Sequence, residues 1–561
     1  MGVGLVLIEN GLITQSDLDR ALREQSSTGD RLDRVLVRMG VVTRDQVLDA
    51  VGSQFGMPVV DLSATAVERD VLGALPNRLV YKQRCVPIAK EGHTLTVATC
   101  DPFELSAMDE LRLLTGSAIR LVLADEQDLT DFIREHYGVG GDTLDELAGD
   151  DTSNGTASTD DAQDDEALAQ EASVVRLVND LLAEAIEERA TDVHIEPYEH
   201  GLDVRYRVDG VLSRANVPAS IHRFASAIVS RFKIMASLDV AEKRRPQDGR
   251  ITFRHRRRAG SREEFDLRLS IIPMLHGEGV VLRVLNKSAV MLGLPELGMP
   301  DRVLSRWATQ IERPHGILLV TGPTGSGKST TLYASLARIA SERVKVITVE
   351  DPVEYHVEGV NQIQVNPAVG LTFASGLRSI LRHDPDAIMI GEIRDRETAE
   401  VAVQASLTGH LVLSTLHTNN AASAATRLLD MGIEPFLVAS SLEGVIAQRL
   451  VRRVCTECGE PHSPTQAELP PGVELPPGTT LRRGIGCREC RNTGYRGRVG
   501  LYEMLTISDD LRSLITRNVS AGDIAAAARA TGDLHALRDD GLEKLLAGKT
   551  SLEELTRAIT V

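Results

Sequence analysis

The chain has 561 residues, 42% hydrophobic and 25% charged, which at roughly 150 residues per domain asks for three or four separate cores. A net charge of −18, with one Trp, eight Tyr and nine Phe, excludes a non-specific nucleic-acid binder, which needs a basic surplus and stacking rings. No run approaches ~18 uninterrupted apolar residues, and Gly4–Ile8 meets Glu9 with no basic residue ahead of it, so neither a membrane span nor a signal peptide is expected. The expectation is a cytoplasmic chain that reaches a membrane only through partners.

Residues 1–138 open with an internal repeat. Gly2–Gln25 and Arg31–Gln54 align so that Gly11 falls on Gly40, Thr14 on Thr43 and Gln25 on Gln54. Each copy reads as a short apolar helix, a Gly stop, a Thr cap and a second amphipathic helix. From Phe55 the text turns to short β-like runs such as Leu95–Ala98, mixed with helices. Residues 139–172 are rich in Asp, Gly, Ser and Thr. Twelve acids run from Glu135 through Glu171 with no Lys or Arg among them. Such a stretch buries too little to offset its ordering entropy, so it reads as an acidic flexible linker, and the folded parts are only mildly acidic.

Helical spacing resumes at Val174, Val175, Val178, Leu181, Leu182 and Ala185, followed by strand-like Val193–Ile195, Val204–Val208, Phe265–Ile272 and Val280–Leu285. Residues 173–300 make a second α/β domain on this reading, and 301–561 a nucleotide-binding domain. There Ile317–Val320, apolar throughout as in a parallel strand buried on both faces, runs into Gly322, Pro323, Thr324, Gly325, Ser326, Gly327, Lys328, Ser329 and Thr330. This is GxxxxGK[ST] between a strand and a helix. The glycines turn backbone N–H groups onto phosphate oxygens at a helix N-terminus, Lys328 reaches the β- and γ-phosphates, and the Ser329 hydroxyl holds Mg²⁺. Only nine Lys stand against 53 Arg, yet one of them occupies the position where a compact ammonium is wanted.

Three more strand-like runs end in chemistry. Val344–Val349 leads to Glu350, Asp351 and Glu354, Ala387–Gly391 leads to Glu392, and Leu411–Thr415 leads to His417. Ligands of open α/β sheets sit at the carboxyl ends of strands, so these groups should converge beside the phosphates. There one carboxylate polarises water and another holds the metal shell. Further on, Cys455 and Cys458 form one CxxC, Cys487 and Cys490 a second, with a Pro-rich spacer between them. In a cytosolic setting they read as a tetrahedral Cys₄ zinc site rather than disulfides. Cys85 and Cys100 read as small core residues.

In order and in residues, these segments resemble the Walker A, Asp box, Walker B and His box of the secretion ATPase superfamily, closest to the type II secretion and type IV pilus assembly motors. The resemblance implies an α/β fold: a RecA-like ATPase domain with a parallel sheet, preceded by a PAS-like α/β domain and a mostly helical N-terminal repeat domain. A zinc-ribbon-like module at 452–498 is implied as well. It casts Glu354 as the catalytic glutamate, Glu392 as the Walker B acid near Mg²⁺ and His417 as the γ-phosphate sensor. Ala190–Pro197 and Arg205–Gly210 resemble the second N-terminal domain of these motors, in which Arg268 and Arg283 would reach the nucleotide phosphates as the domain closes. The implied molecule is a homohexamer at the inner face of the cell membrane, hydrolysing ATP to drive an inner-membrane platform protein, with no nucleic acid involved. Assembly motors resembling this chain carry the Cys₄ module, which weighs against a retraction motor. Lys328, Glu354 and Glu392 weigh against a nucleotide-sensing regulator with an inert phosphate loop, and charge weighs against a nucleic-acid translocase.

The N-terminal repeat resembles the paired motifs that bind cyclic di-GMP in some of these motors. Gly2 stands where the motif has Arg and Asp33 where it has Gly. Both departures disfavour an anion, so docking on the membrane platform is the favoured role of this domain.

Overall fold

The computed structural model describes residues 3–28, 32–100, 111–141, 143–144, 160–256, 262–286, 292–465, 468–469, 475–476 and 478–559. Part of the expected linker, residues 142 and 145–159, lies outside them. The chain forms two compact units, Met1–Ser288 and Ala289–Val561.

In the first unit, each repeat copy folds as its punctuation dictates. Helices Val3–Glu9 and Gln15–Thr28 are separated at Gly11, and Leu32–Arg38 and Arg44–Phe55 at Gly40, both glycines having φ near +70°. Thr43 and Gln46 close a reciprocal capping box on the last helix. A three-stranded sheet follows, in the order β1 (Cys85–Glu91), β2 (Thr94–Thr99), β3 (Ala118–Leu123).

A second, wholly antiparallel sheet is built from β4 (Ala190–Tyr198), β5 (Gly201–Val208), β6 (Val211–Arg214), β7 (Gln247–Arg256), β8 (Arg262–Met274) and β9 (Gly277–Asn286), in the order β6-β5-β4-β9-β8-β7. Helices Asp160–Glu187 and Ala225–Met235 cover it, placing Leu177, Leu181, Ile228 and Phe232 against Val193, Ile195, Leu267 and Leu269. The first of these helices begins at Asp160, inside the stretch expected to be linker up to 172. Low hydrophobicity denies that stretch a core of its own. It does not deny it a helix that extends one already anchored by Leu177 and Leu181, because propagation is cheap once a helix is nucleated and Ala, Gln, Glu and Leu are good formers.

The second unit holds an eight-stranded sheet in the order β12-β11-β13-β14-β10-β15-β18-β19. Its strands are β10 (Gly316–Thr321), β11 (Val346–Glu350), β12 (Val360–Gln364), β13 (Ala387–Ile390), β14 (Leu411–Leu416), β15 (Leu442–Val454), β18 (Tyr495–Thr506) and β19 (Leu534–His535). The first six in sheet order are parallel, and β18 and β19 add antiparallel pairs at the edge. Every residue of β10, β11, β13 and β14 is buried, which is why these segments read as continuous apolar runs. The short pair β16 (Gly459–His462) and β17 (Leu481–Gly484) belongs to the cysteine module.

This unit takes in residues before 301, the boundary expected from sequence. Leu294, Leu297 and Met299 join the core formed by Trp307, Leu318 and Val320, so burial draws them to the ATPase side. The fully buried Trp307 donates from Nε1 to Ser335 Oγ at 2.9 Å, tying helix Asp301–Ile311 to the helix that starts at Lys328. Truncating such a residue costs about 3–5 kcal/mol.

Candidate nucleotide site

The phosphate loop leaves β10 and ends in helix Lys328–Ile339. Its conformation is enforced from the neighbouring strand. Gly322 has φ +144°, and a Cβ there would lie 2.4 Å from the Gln448 carbonyl oxygen; Gly327 has φ +88° with the Gln448 side chain 3.1 Å from its would-be Cβ. Gln448 Nε2 donates to Ser326 O at 2.7 Å and Gln448 Oε1 accepts from Thr331 Oγ1 at 2.8 Å, so one carboxamide staples both arms of the loop. The Ser326 hydroxyl is buried without a hydrogen-bond partner. The Lys328 ammonium bonds the Gly322 and Pro323 carbonyls at 2.8 and 3.1 Å. Burial pushes it below the ordinary Lys value; the Glu392 carboxylate opposes that and Arg449 adds to it.

Parallel register brings the other strand ends to the same edge. Thr321 pairs with Leu416, and its hydroxyl meets the Leu416 and Thr418 carbonyls and the Thr418 hydroxyl while accepting the Thr418 N–H at 2.9 Å. The base of the phosphate loop is thereby tied to the segment carrying His417. Next to β14, β13 delivers Glu392, which meets Arg394 at 2.6 Å and His417 Nε2 at 3.2 Å. Burial raises the Glu392 carboxyl, but Arg394 and His417 outweigh it and hold it below the usual carboxylate value. Arg394 is raised chiefly by its bond to Glu392, with Asp351 adding to the field. At the end of β11, Glu350 is buried and satisfied by Thr348, Gln362 and Tyr333, while Glu354, four residues on, is half-buried. The structure therefore brings Lys328, Glu392 and His417 together, with Glu354 on an adjoining strand end.

Gln448, Arg449, Tyr333 and Arg394 were not singled out in the sequence. Gln448 and Arg449 sit in the middle of a long strand with no motif spacing, and only pairing with β10 puts them against the loop.

In the first unit, Arg268 and Arg283 are directly paired across β8 and β9, so they share a face. Arg250 on β7 pairs with Arg268 and extends the row; Arg283 Nε meets Asp192 at 3.3 Å. Near the N-terminus, Arg34 and Arg84 both pair with Glu126, and Arg38 pairs with Glu24 at 2.8 Å.

The four cysteines of the module gather as expected. Sγ separations are 3.7 Å for Cys455–Cys487, 3.6 Å for Cys458–Cys490 and 3.7 Å for Cys487–Cys490, with all four within 4.8 Å. Four sulfurs about 2.3 Å from one zinc at tetrahedral corners are about 3.8 Å apart, so this cluster has the dimensions of a metal cage. Backbone N–H groups of Cys487 and Gly494 point at Cys490 Sγ at 3.1 and 3.2 Å. Burial raises that thiol, yet these donors and its neighbours bring it down to about 7.

A family model described as "Type II/IV secretion system protein" matches residues 167–557, and one described as "MshEN domain" matches residues 55–143. The chain is 42% identical over 560 residues to the type IV pilus assembly ATPase PilB of Myxococcus xanthus (strain DK1622), covering 99% of this chain and 98% of that one. It is 43% identical over 566 residues to the type II secretion system protein E of Xanthomonas campestris pv. campestris, covering 98% and 97%. The solved structure of the Legionella pneumophila ATPase DotB superposes with a TM-score of 0.51 at 21% identity, over 68% of this chain and 95% of that one, and shares the fold. The phosphate loop, the three strand-end boxes and the matched span together establish that this chain belongs to the type II/IV secretion system protein family.

Proposed function

We propose that this chain is the motor ATPase of an assembly machine. It hydrolyses Mg-ATP as a ring of six copies and passes the resulting domain motion to an inner-membrane platform protein that builds a type IV pilus or a type II secretion pseudopilus. The observation that carries this reading is the meeting of Lys328, Glu392 and His417 beside a stapled phosphate loop. In the proposed chemistry, Lys328 leaves the loop carbonyls for the β- and γ-phosphates, and Ser329 and Glu392 would hold Mg²⁺, which would neutralise phosphate charge there. Glu354 takes the proton of the attacking water, and His417 registers the γ-phosphate through its bond to Glu392. Arg268 and Arg283 supply cations to the developing phosphoryl charge when the second N-terminal domain closes. Bound zinc would supply a rigid crosslink between the two cysteine pairs, held by Cys455, Cys458, Cys487 and Cys490, and no catalytic chemistry.

Among the described residues no helix is long and apolar enough to cross a membrane. Glu126, paired with both Arg34 and Arg84, sets a carboxylate among the cations an anionic ligand would use, which supports docking on the platform rather than cyclic di-GMP binding as the role of the N-terminal domain. The test is Mg-dependent ATP turnover by the purified chain, followed by replacement of the chromosomal copy with Lys328→Ala. Turnover in the parent, with loss of surface filaments or of secreted proteins in the variant, is expected. A parent without turnover overturns the enzymatic reading, and a variant strain that keeps both filaments and secretion overturns the assembly reading.

A further inference from the structure

Arg449 follows Gln448 on β15, and strand alternation sends its side chain to the opposite face. The residue is 7% exposed. Its Nη2 donates to Asn419 O at 2.9 Å and its Nη1 to Gln448 O at 3.2 Å, while its Nε is buried without a hydrogen-bond partner. Nη1 lies 3.3 Å from the position a Cβ would take at Gly322, so the guanidinium rests against the first residue of the phosphate loop. One fork thus spans β15, the start of the loop and the segment two residues past His417. Its facing charges are Lys328 and Glu503, and Glu503 is already engaged by the Ala421 N–H at 2.7 Å. A buried guanidinium with a spare donor and a shared counter-charge is costly to hold, and an anion on the adjacent loop offsets that cost.

We propose that Arg449 is a positioning residue that locks the His417–Asn419 segment to the phosphate loop and tightens that lock when nucleotide phosphates occupy the loop. The inference rests on the motor reading above. Linkage makes the effect reciprocal: phosphate binding steadies the His417 segment, and a steadied segment favours the reacting geometry around the γ-phosphate. Two carbonyls approached from one planar fork require guanidinium geometry, which an ammonium on a flexible stem does not reproduce.

The full-length parent is compared with Arg449→Gln, Arg449→Lys and Arg449→Ala in ATP turnover, fluorescent ADP affinity and thermal melting. The expected result is a fall in kcat of about 10- to 100-fold in all three, with ADP affinity weakened about three- to tenfold as the reciprocal of the tightening by phosphates. Guanidinium chloride at low millimolar concentration should raise kcat of Arg449→Ala several-fold and leave the parent unchanged. Turnover of Arg449→Gln or Arg449→Lys within twofold of an active parent overturns the proposal alone. So does a loss in Arg449→Ala that guanidinium does not relieve and that accompanies a lowered melting temperature, the signature of a purely structural role. A parent with no turnover overturns this proposal together with the motor reading.

Discussion

The Tyr333 hydroxyl accepts the Glu354 backbone N–H at 3.2 Å and donates to the buried Glu350 carboxylate. A single side chain on the helix that begins at Lys328 therefore fixes the loop carrying the proposed catalytic base. Tyr333 is itself raised far above the ordinary Tyr value, by burial first and by Glu350 second, so it stays a neutral donor throughout the working pH range.

Tyr333→Phe should lower kcat about tenfold with KM for ATP within twofold, because nucleotide contacts remain and only the aim of Glu354 is loosened. It should also cost about 1–3 kcal/mol of stability, since the buried Glu350 loses a donor. Steady-state kinetics beside thermal denaturation separates the two effects; a raised KM at unchanged kcat would contradict the orienting role.

Glu354→Gln and Lys328→Ala should fail in different ways. The first retains ATP binding by titration calorimetry while turnover drops by about 10²–10⁴, the range contributed by general base catalysis. The second removes the ammonium that the loop places for phosphate and should weaken nucleotide affinity itself. Near-normal turnover in Glu354→Gln would show that another group activates the water.

The cysteine cluster should carry one zinc per chain by elemental analysis, and Cys458→Ser should lose it with a lowered melting temperature. Cys455 directly follows β15, the strand on which Gln448 staples the phosphate loop. Loss of metal should therefore also lower ATP turnover, most steeply near the melting transition. A metal-free protein with unchanged melting would show the cage to be dispensable for the fold.

Stability should depend on pH through Glu554. This fully buried carboxylate accepts from Arg452 and Arg557, and the Arg452 guanidinium also lies 4.0 Å over the Tyr495 ring. Burial raises the Glu554 carboxyl, and the bonds from Arg452, with Arg557 adding charge, outweigh it, leaving it below the ordinary value. A carboxyl depressed in the folded state contributes stability that is fully present above the unfolded value near pH 4.3 and is lost as pH falls through the folded value. Glu554→Gln should cost about 3 kcal/mol near pH 7, a penalty that shrinks below about pH 4. Denaturant melts at pH 7 and pH 3.5 check this, and an equal penalty at both would exclude the ionic contribution.

Local chemistry made much of this protein legible from its sequence. The Gly stops and Thr caps of the repeat, the apolar runs of β10, β11, β13 and β14, the phosphate loop and the CxxC pairs each depend on a few neighbouring residues, because caps, left-handed turns and burial on both faces impose fixed residue types at fixed spacing. The acidic boxes were legible for a related reason: in a parallel sheet, strand ends on one edge share one site. What only the tertiary structure decided was everything set by pairing between distant segments. Hydrophobicity alone leaves 292–300 with the preceding domain, whereas Leu294 and Leu297 pack on Trp307. It also stops the helix at 173, whereas an anchored helix extends back to Asp160. Gln448 and Arg449 reach the phosphate loop from more than a hundred residues away, because β15 lies beside β10 in a register that no local pattern encodes. A hydrogen-bond partner across strands is chosen by the global arrangement of the sheet, and the sequence around either partner records only that the strand exists.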